Sequence, residues 1–270
     1  MKKEKKKIVV SIAGSDSGAG AGIQADLKTF SASGVYGATI ITAITAQNSV
    51  GVIGIQNLPT KIIDLQFDAI FTDFNVGAVK IGMVSTTKIL KTIIKNLIKY
   101  KPKYIIVDPV MVSQTGAKLI KDDTIKILKK ELLPLATLIT PNRFEFEKLF
   151  NVKLNNVNDI NNYFEIIQKN KLNGVLLKGG HFSEKQKKAT DILFYKNKIY
   201  KFESPYVRTE NLHGTGCSLS SAITANIIKT DDLINAIKIS KKFIYNGIKN
   251  SFKIGDGPGP LNHFYKFFKF

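Results

Sequence analysis

Cysteine is nearly absent. Cys217 is the single one in 270 residues, which excludes an intramolecular disulfide, and without a CxxC pair there is no structural zinc site. Arginine is scarce as well: only Arg143 and Arg208 stand among 40 basic residues. Nucleic-acid readers favour the planar, bidentate guanidinium, and no RRM, KH or helix-turn-helix signature is visible. Long apolar runs are missing too, since a stretch such as Ala38–Ala46 falls far below the ~20 residues that span a bilayer. The opening MKKEKKKIVVSIAGSDSG starts like a signal peptide. Its apolar part, Ile8–Ala13, is shorter than the ~7–15 residues of an h-region and runs into glycines. Acids are outnumbered, giving a formal charge of +19. Much of the excess lies in the first seven residues and on solvated helix faces, as in Lys88, Lys91, Lys95 and Lys99. It reads as a lysine-rich composition that would at most attract anionic small molecules at low salt. With 44% hydrophobic and 23% charged residues, the chain has the balance of a folded globular protein. A basic tail over residues 1–7 and one soluble, cytoplasmic domain over 8–270 are expected.

What is present is strand followed by helix, repeated. Strands are expected at Ile8–Ala13, Ala38–Ala46, Val50–Ile55, Ala78–Ile81, Tyr104–Val107, Thr137–Ile139 and Gly174–Lys178. Helices are expected at about Ile23–Ser33, Ile62–Asp73, Thr87–Tyr100, Asp122–Leu132, Asn142–Phe150, Val157–Asn170, Thr215–Lys229 and Asp232–Asn250. Pro141 is expected to start the fifth of these, where its fixed φ and missing N–H are tolerated. Asp191–Tyr195 and Lys198–Phe202 flank Lys196-Asn197, a two-residue hairpin turn. Short β-branched runs alternating with helices imply an α/β fold with a mostly parallel sheet covered on both faces.

In such a sheet ligands bind beyond the carboxyl ends of the strands, and the informative residues follow the strands. After the first comes Gly14-Ser15-Asp16-Ser17-Gly18-Ala19-Gly20-Ala21-Gly22, whose glycines are expected to let backbone N–H groups approach a ligand. Gly20 to Ala25 satisfy the loose GxGxxA dinucleotide pattern. The next strand, however, ends in Thr45-Ala46-Gln47-Asn48, with no acid for a ribose, which opposes a dinucleotide-dependent oxidoreductase. No Walker A loop occurs. His213-Gly214-Thr215-Gly216-Cys217-Ser218 opens a helix, where unpaired N–H donors and the positive end of the macrodipole suit a phosphoryl group in transfer. Cys217, in the first turn, stands where a thiol pKa is lowered. Asp108 follows another strand, and Lys178 before Gly179-Gly180 would bring an ammonium to phosphates. Asn142 and Glu145, at i and i+3, share one helix face and could hold a hydrated Mg²⁺; each could equally be an N-cap and a first-turn acid.

Taken together, AGSDSGAGAGIQADLKTF (13–30), AQNSVGV (46–52), KIGM (80–83), DPVM (108–111), TPN (140–142), KGGH (178–181) and HGTGC (213–217) resemble the hydroxymethylpyrimidine/phosphomethylpyrimidine kinases of thiamine biosynthesis, members of the ribokinase-like superfamily. The resemblance runs in order from about Ile8 to His263. It implies a three-layer α/β/α sandwich, usually dimeric, that uses ATP and Mg²⁺ to phosphorylate 4-amino-5-hydroxymethyl-2-methylpyrimidine and then its monophosphate. By resemblance, Gln47 hydrogen-bonds the aminopyrimidine, with Gly14, Asp26, Met83 and Val110 around it. Asn142 and Glu145 match the superfamily's NxxE metal motif, Gly214, Thr215 and Gly216 its anion hole, and Lys178 and Asp108 belong with the nucleotide. Many related sugar kinases carry an aspartate base where this chain has Cys217; a thiolate there could take the hydroxymethyl proton. GDGPGP (255–260) departs from the family's common GxGHGP at Asp256 and Pro258, in a tail expected near the nucleotide, and Ser17-Gly18 replaces a common Pro-Ser. A pyridoxine/pyridoxal kinase, whose substrate is another small ring with a hydroxymethyl group, is the nearest alternative.

Overall fold

The structure is a computed structural model that describes residues 6–112, 120–154, 160–180 and 187–268. Nine strands form one sheet: β1 Ile8–Asp16, β2 Gly37–Gln47, β3 Val52–Asn57, β4 Val76–Ile81, β5 Tyr104–Val107, β6 Leu138–Ile139, β7 Gly174–Leu177, β8 Lys188–Tyr195 and β9 Lys198–Pro205. Their order across the sheet is β3-β2-β1-β4-β5-β6-β7-β8-β9. The run from β2 to β7 is parallel, while β3, β8 and β9 join antiparallel. Among the described residues the α-helices are α1 Gly22–Ala32, α2 Thr60–Asp73, α3 Thr87–Tyr100, α4 Asp122–Ile127, α5 Arg143–Phe150, α6 Ile160–Lys169, α7 Thr215–Thr230 and α8 Leu233–Lys249.

Because side chains alternate along a strand, Val9 and Val10 face opposite layers, and both are fully buried. Val10, Ile12, Ile40 and Val79 pack with Phe67 of α2 and Ile93 of α3. Val9, Ala78, Ile106 and Leu176 pack with Phe30 of α1, Ile223 of α7 and Ile237 of α8. This double burial is why β1 reads as a continuous apolar run. α3 shows the other pattern: Ile89, Leu90, Ile93, Ile94 and Leu97 are buried, while Lys88, Lys91, Lys95 and Lys99 are exposed as expected.

The β8–β9 hairpin turns on Lys196 and Asn197, both at positive φ (48° and 57°), which matches the strand twist. Two expectations are corrected. The helix expected over Asp122–Leu132 is α helical only to Ile127, widens to a π turn over Leu128–Leu132 and tightens to 3₁₀ over Leu133–Leu135. Leu128, Leu132 and Leu133 are all buried, and Pro134, lacking an N–H, cannot continue the α ladder. α5 begins at Arg143, one residue later than expected, because Asn142 after Pro141 is an extended N-cap. The start expected at Val157 lies outside the described residues, which place α6 from Ile160.

Candidate active site

The carboxyl ends of the parallel strands and the start of α7 enclose a cleft of about 1070 Å³, room for more than one small ligand. Gly14, Ser15, Gln47, Met83 and Val110 border it, as do Asp108, Asn142, Glu145, Lys178, Gly214, Thr215, Gly216 and Cys217. Asp26, which the resemblance put around the pyrimidine, does not. Asp26 lies fully buried on α1. Lys80 Nζ is 2.9 Å from both its oxygens, and the hydroxyls of Ser11 (2.5 Å) and Ser221 (2.6 Å) donate to it. Its acceptors are spent beneath the cleft, so it ties β1, β4, α1 and α7 together and does not surround a ligand. Burial alone would lower the Lys80 pKa; the Asp26 charge overrides this and holds it above the ordinary lysine value.

At one end, an added Cβ on Gly14 would come 2.7 Å from Met83 Cε, so the glycine lets the methionine close over β1. Gln47 is held by its backbone: its N–H donates to Ser17 Oγ (2.8 Å), and that hydroxyl donates to the Gln47 carbonyl (2.7 Å). Its side-chain oxygen accepts from Thr45 Oγ1 at 3.3 Å.

At the other end, Lys178 Nζ donates to Asp108 Oδ1 at 2.9 Å and lies 3.7 Å from Glu145 Oε2. An added Cβ on Gly216 would sit 3.3 Å from the same Nζ and 3.7 Å from Asp108 Oδ2, so β5, β7 and the first turn of α7 converge here. Burial would lower the Lys178 pKa, and the two carboxylates instead hold it above its ordinary value. Burial pushes the Glu145 carboxyl up to about 7; Lys178 pulls it down and Asp108 pushes it further up. Asn142 and Glu145 form a capping box: Glu145 N–H donates to Asn142 Oδ1 at 2.9 Å, and Asn142 N–H to Glu145 Oε2 at 2.7 Å. The cap occupies Asn142's oxygen, so within this pair Glu145 carries the charge that a cation would meet.

Several expectations change. The glycine loop is not an open phosphate cradle: the N–H groups of Gly18 (2.8 Å), Gly20 (3.1 Å) and Ala21 (2.8 Å) donate to the buried Asp16 carboxylate. Thr215 turns its N–H (3.2 Å) and its hydroxyl (2.8 Å) back to the Leu212 carbonyl, so Gly214 and Gly216 form the open part of that turn. The Cys217 thiol is not acidified. Burial pushes it up to about 11; Lys80 pulls it down, and Asp108 and Asp26 add to the rise. The 255–260 segment does not border the cleft. Gly257 N–H donates to Ser49 Oγ (3.2 Å) and Gly259 N–H to Asn211 Oδ1 (2.9 Å), while the Gly259 carbonyl accepts from His213 N (3.1 Å). It braces the entry to α7 instead. His181 lies outside the described residues.

Sequence reasoning missed Asp16, Lys80 and the ion pair between Lys241 Nζ and Asp191 Oδ2 (2.6 Å), whose Oδ1 accepts from Gly179 N–H (2.8 Å). Signals existed for two. Asp16-Ser17-Gly18 is an Asx-turn pattern, and Lys80 interrupts a β-branched strand that is otherwise buried. His263, 5% exposed, is also behind the site, with Nε2 2.9 Å from Ser218 Oγ. Burial depresses its pKa from 6.5 to about 4, with Lys28 adding to the effect. The folded state therefore binds fewer protons than the unfolded state between these values, and the stability His263 allows above pH 6.5 is lost as pH falls towards 4. His263→Gln is expected to flatten the Tm drop across that window, and an unchanged Tm–pH slope in the variant would contradict this.

A family model described as phosphomethylpyrimidine kinase matches residues 16–262. The chain is 43% identical over 265 residues to a hydroxymethylpyrimidine/phosphomethylpyrimidine kinase of Rhizobium meliloti, covering 97% of this chain and 98% of that one. A crystal structure of phosphomethylpyrimidine kinase from Clostridium difficile is similar at a TM-score of 0.79 and 45% identity, over 90% of this chain and 100% of that one. Pyridoxal kinase from Staphylococcus aureus, solved with AMP-PCP and pyridoxal, is similar at 0.88 and 31%, over 98% and 96%. The fold is thus ribokinase-like, and backbone likeness does not separate the two kinds of kinase; sequence likeness does. On both the length of the match and the ordered motifs around the cleft, the chain belongs to the phosphomethylpyrimidine kinase family.

Proposed function

We propose that the chain transfers the γ-phosphoryl group of ATP first to 4-amino-5-hydroxymethyl-2-methylpyrimidine and then to the resulting monophosphate, as a kinase of thiamine biosynthesis. The observation that carries this is the single cleft, with the Gln47 amide and Met83 at one end and Lys178 beside Gly216 at the other. A small ring and a polyphosphate can meet end to end in it. In-line transfer asks little covalent chemistry of the protein; positioning and charge stabilisation dominate. The Gln47 amide, both donor and acceptor, pairs with a ring nitrogen and the exocyclic amine, while Met83 and Val110 flank the ring. Lys178 and the start of α7 offset the charge of the group in flight.

The residues fit a hydrated Mg²⁺. Among the described residues no three His, Cys, Asp or Glu side chains cluster into a metal cage, but Mg²⁺ keeps most of its waters and borrows phosphate ligands. Glu145 is a buried carboxylate with its pKa raised, as expected where a cation would compensate it. Glu145 and Asp108 would hold the ion through water, and when bound it would neutralise polyphosphate charge. Burial pushes the Cys217 thiol up to about 11, which keeps it protonated at pH 7. It therefore acts as a neutral group at the transfer point rather than as a standing base.

We also read the chain as a cytoplasmic homodimer. No helix among the described residues is long and apolar enough to cross a membrane, and the β2–β3 edge exposes Ile44, Ile53 and Ile55, which a second copy would cover.

ADP release measured with each acceptor tests the assignment: both pyrimidine steps are expected to turn over. The likeness to pyridoxal kinase favours pyridoxal as the second reading, and a much larger kcat/KM for pyridoxal would overturn the first. Gln47→Ala is expected to cost roughly 1–3 kcal/mol in kcat/KM for the pyrimidine with little change in ATP affinity. Ser17 holds only the backbone of Gln47, so the loop survives the substitution. An unaltered kcat/KM would make Gln47 merely a strand-end polar residue.

A further inference from the structure

We propose that Asp16 and His213 form a positioning pair that fixes the glycine-bounded start of α7 against the pyrimidine end of the cleft. This rests on the phosphoryl-transfer reading above and adds two residues to it.

Asp16 winds the loop over 16–21 around one carboxylate: Oδ1 takes Gly18 N–H, and Oδ2 takes those of Gly20 and Ala21. The same Oδ2 lies 3.4 Å from His213 Nε2, with both side chains largely buried. The two turns also interlock sterically. A Cβ on Gly20 would overlap the His213 ring, and a Cβ on Gly214, at φ +74°, would overlap the Gly20 carbonyl oxygen. Ser17, the next residue after Asp16, holds the Gln47 backbone through both its N–H and its carbonyl. His213 is anchored from behind by the Gly259 carbonyl. A short path of bonds thus runs from Gln47 through Ser17, Asp16 and His213 to Gly214. The acceptor's reader and the turn facing the transferred group are set by one carboxylate. A loop cap alone would need Asp16 but not His213. Transfer depends on sub-ångström placement of acceptor against phosphoryl group, and this junction is where that placement is decided.

Gly20 supplies the test. It does not occupy the left-handed region, and the three atoms nearest to an added Cβ all belong to His213, so Gly20→Ala displaces that ring without altering either partner's chemistry. Gly20→Ala and His213→Ala are each expected to lower kcat for the pyrimidine about tenfold or more, with KM for ATP and pyrimidine held within about twofold. The double variant is expected to be no slower than His213→Ala alone. His213→Gln, which keeps a side-chain N–H, should recover part of kcat. Additive losses, an unchanged kcat in His213→Ala, or losses that follow Tm across the set would overturn the pairing. A second readout is independent of activity. The chain has 3 histidines, so the His213 Nε2 resonance can be assigned from its loss in His213→Gln. It should shift in Asp16→Asn, and an unmoved resonance denies the contact. If the unsubstituted protein phosphorylates no pyrimidine while that resonance does shift, the functional reading fails and the pairing stands.

Discussion

Cys217→Asp is expected to retain part of the first phosphorylation and to suppress the second by about a thousandfold relative to it. A phosphate monoester, with a second pKa of ~6, is already largely dianionic at neutral pH and needs no base. What it needs is the absence of negative charge nearby: two unit charges ~4 Å apart at an effective dielectric of ~20 repel by about 4 kcal/mol, close to three powers of ten in rate. The thiol avoids this, since burial pushes it up to about 11 and it enters the second step uncharged. Cys217→Ala keeps the position neutral, so the second step should survive; the alcohol step, which loses a polarisable partner for its hydroxyl, should suffer more. Single-turnover rates with both acceptors decide the matter. Equal losses in both steps for each variant would reduce Cys217 to a wall of the anion-binding turn.

Lys80→Met is expected to lower Tm by roughly 10 °C. It leaves the fully buried Asp26 among the Ser11 and Ser221 hydroxyls without its cation, a loss of about 3–5 kcal/mol, at ~2–4 °C per kcal/mol for a chain of this size. Lys80→Met combined with Asp26→Asn removes the stranded charge while keeping an acceptor for one serine hydroxyl and offering an N–H to the other, and should regain most of the Tm. A single variant as stable as the parent, or a double variant no better than the single, would show that the pair contributes little to the fold.

The alternation of strands and helices was legible because buried parallel strands and amphipathic helices leave different periods in the sequence, and α3, with Ile89, Ile93 and Ile94 inside and its lysines outside, leaves the clearest. The π turn at Leu128–Leu132 was not, since leucines at helical spacing look the same whichever hydrogen-bond ladder carries them. The start of α5 was placed one residue early because the capping box of Asn142 and Glu145 fixes it more strongly than the proline does. Cys217 was placed in the cleft correctly but with the wrong acidity: the helix terminus was visible in the sequence, the surrounding burial was not. Asp26 fell on the wrong side of the floor for a related reason. Its partner Lys80 is 54 residues away, and no local pattern announces a buried ion pair between separate elements.

The place of β1 in the sheet has a consequence for how the chain is made. It precedes the other strands in the chain, yet stands third in the sheet order with strands on both sides. The layer over Val10 and Ile12 is supplied by α2 and α3, which leave the ribosome soon afterwards. The layer over Val9, Ala78 and Ile106 comes largely from α7 and α8, which follow all of these strands in the chain. At ~5–20 residues per second, the part of this side that α1 does not cover stays greasy for roughly ten seconds or more, open to chaperones or to a neighbouring polysome's product. The helix that ends this interval is the one that begins at Gly214 and Cys217, so the newborn protein gains its second core and its chemistry in the same closing step.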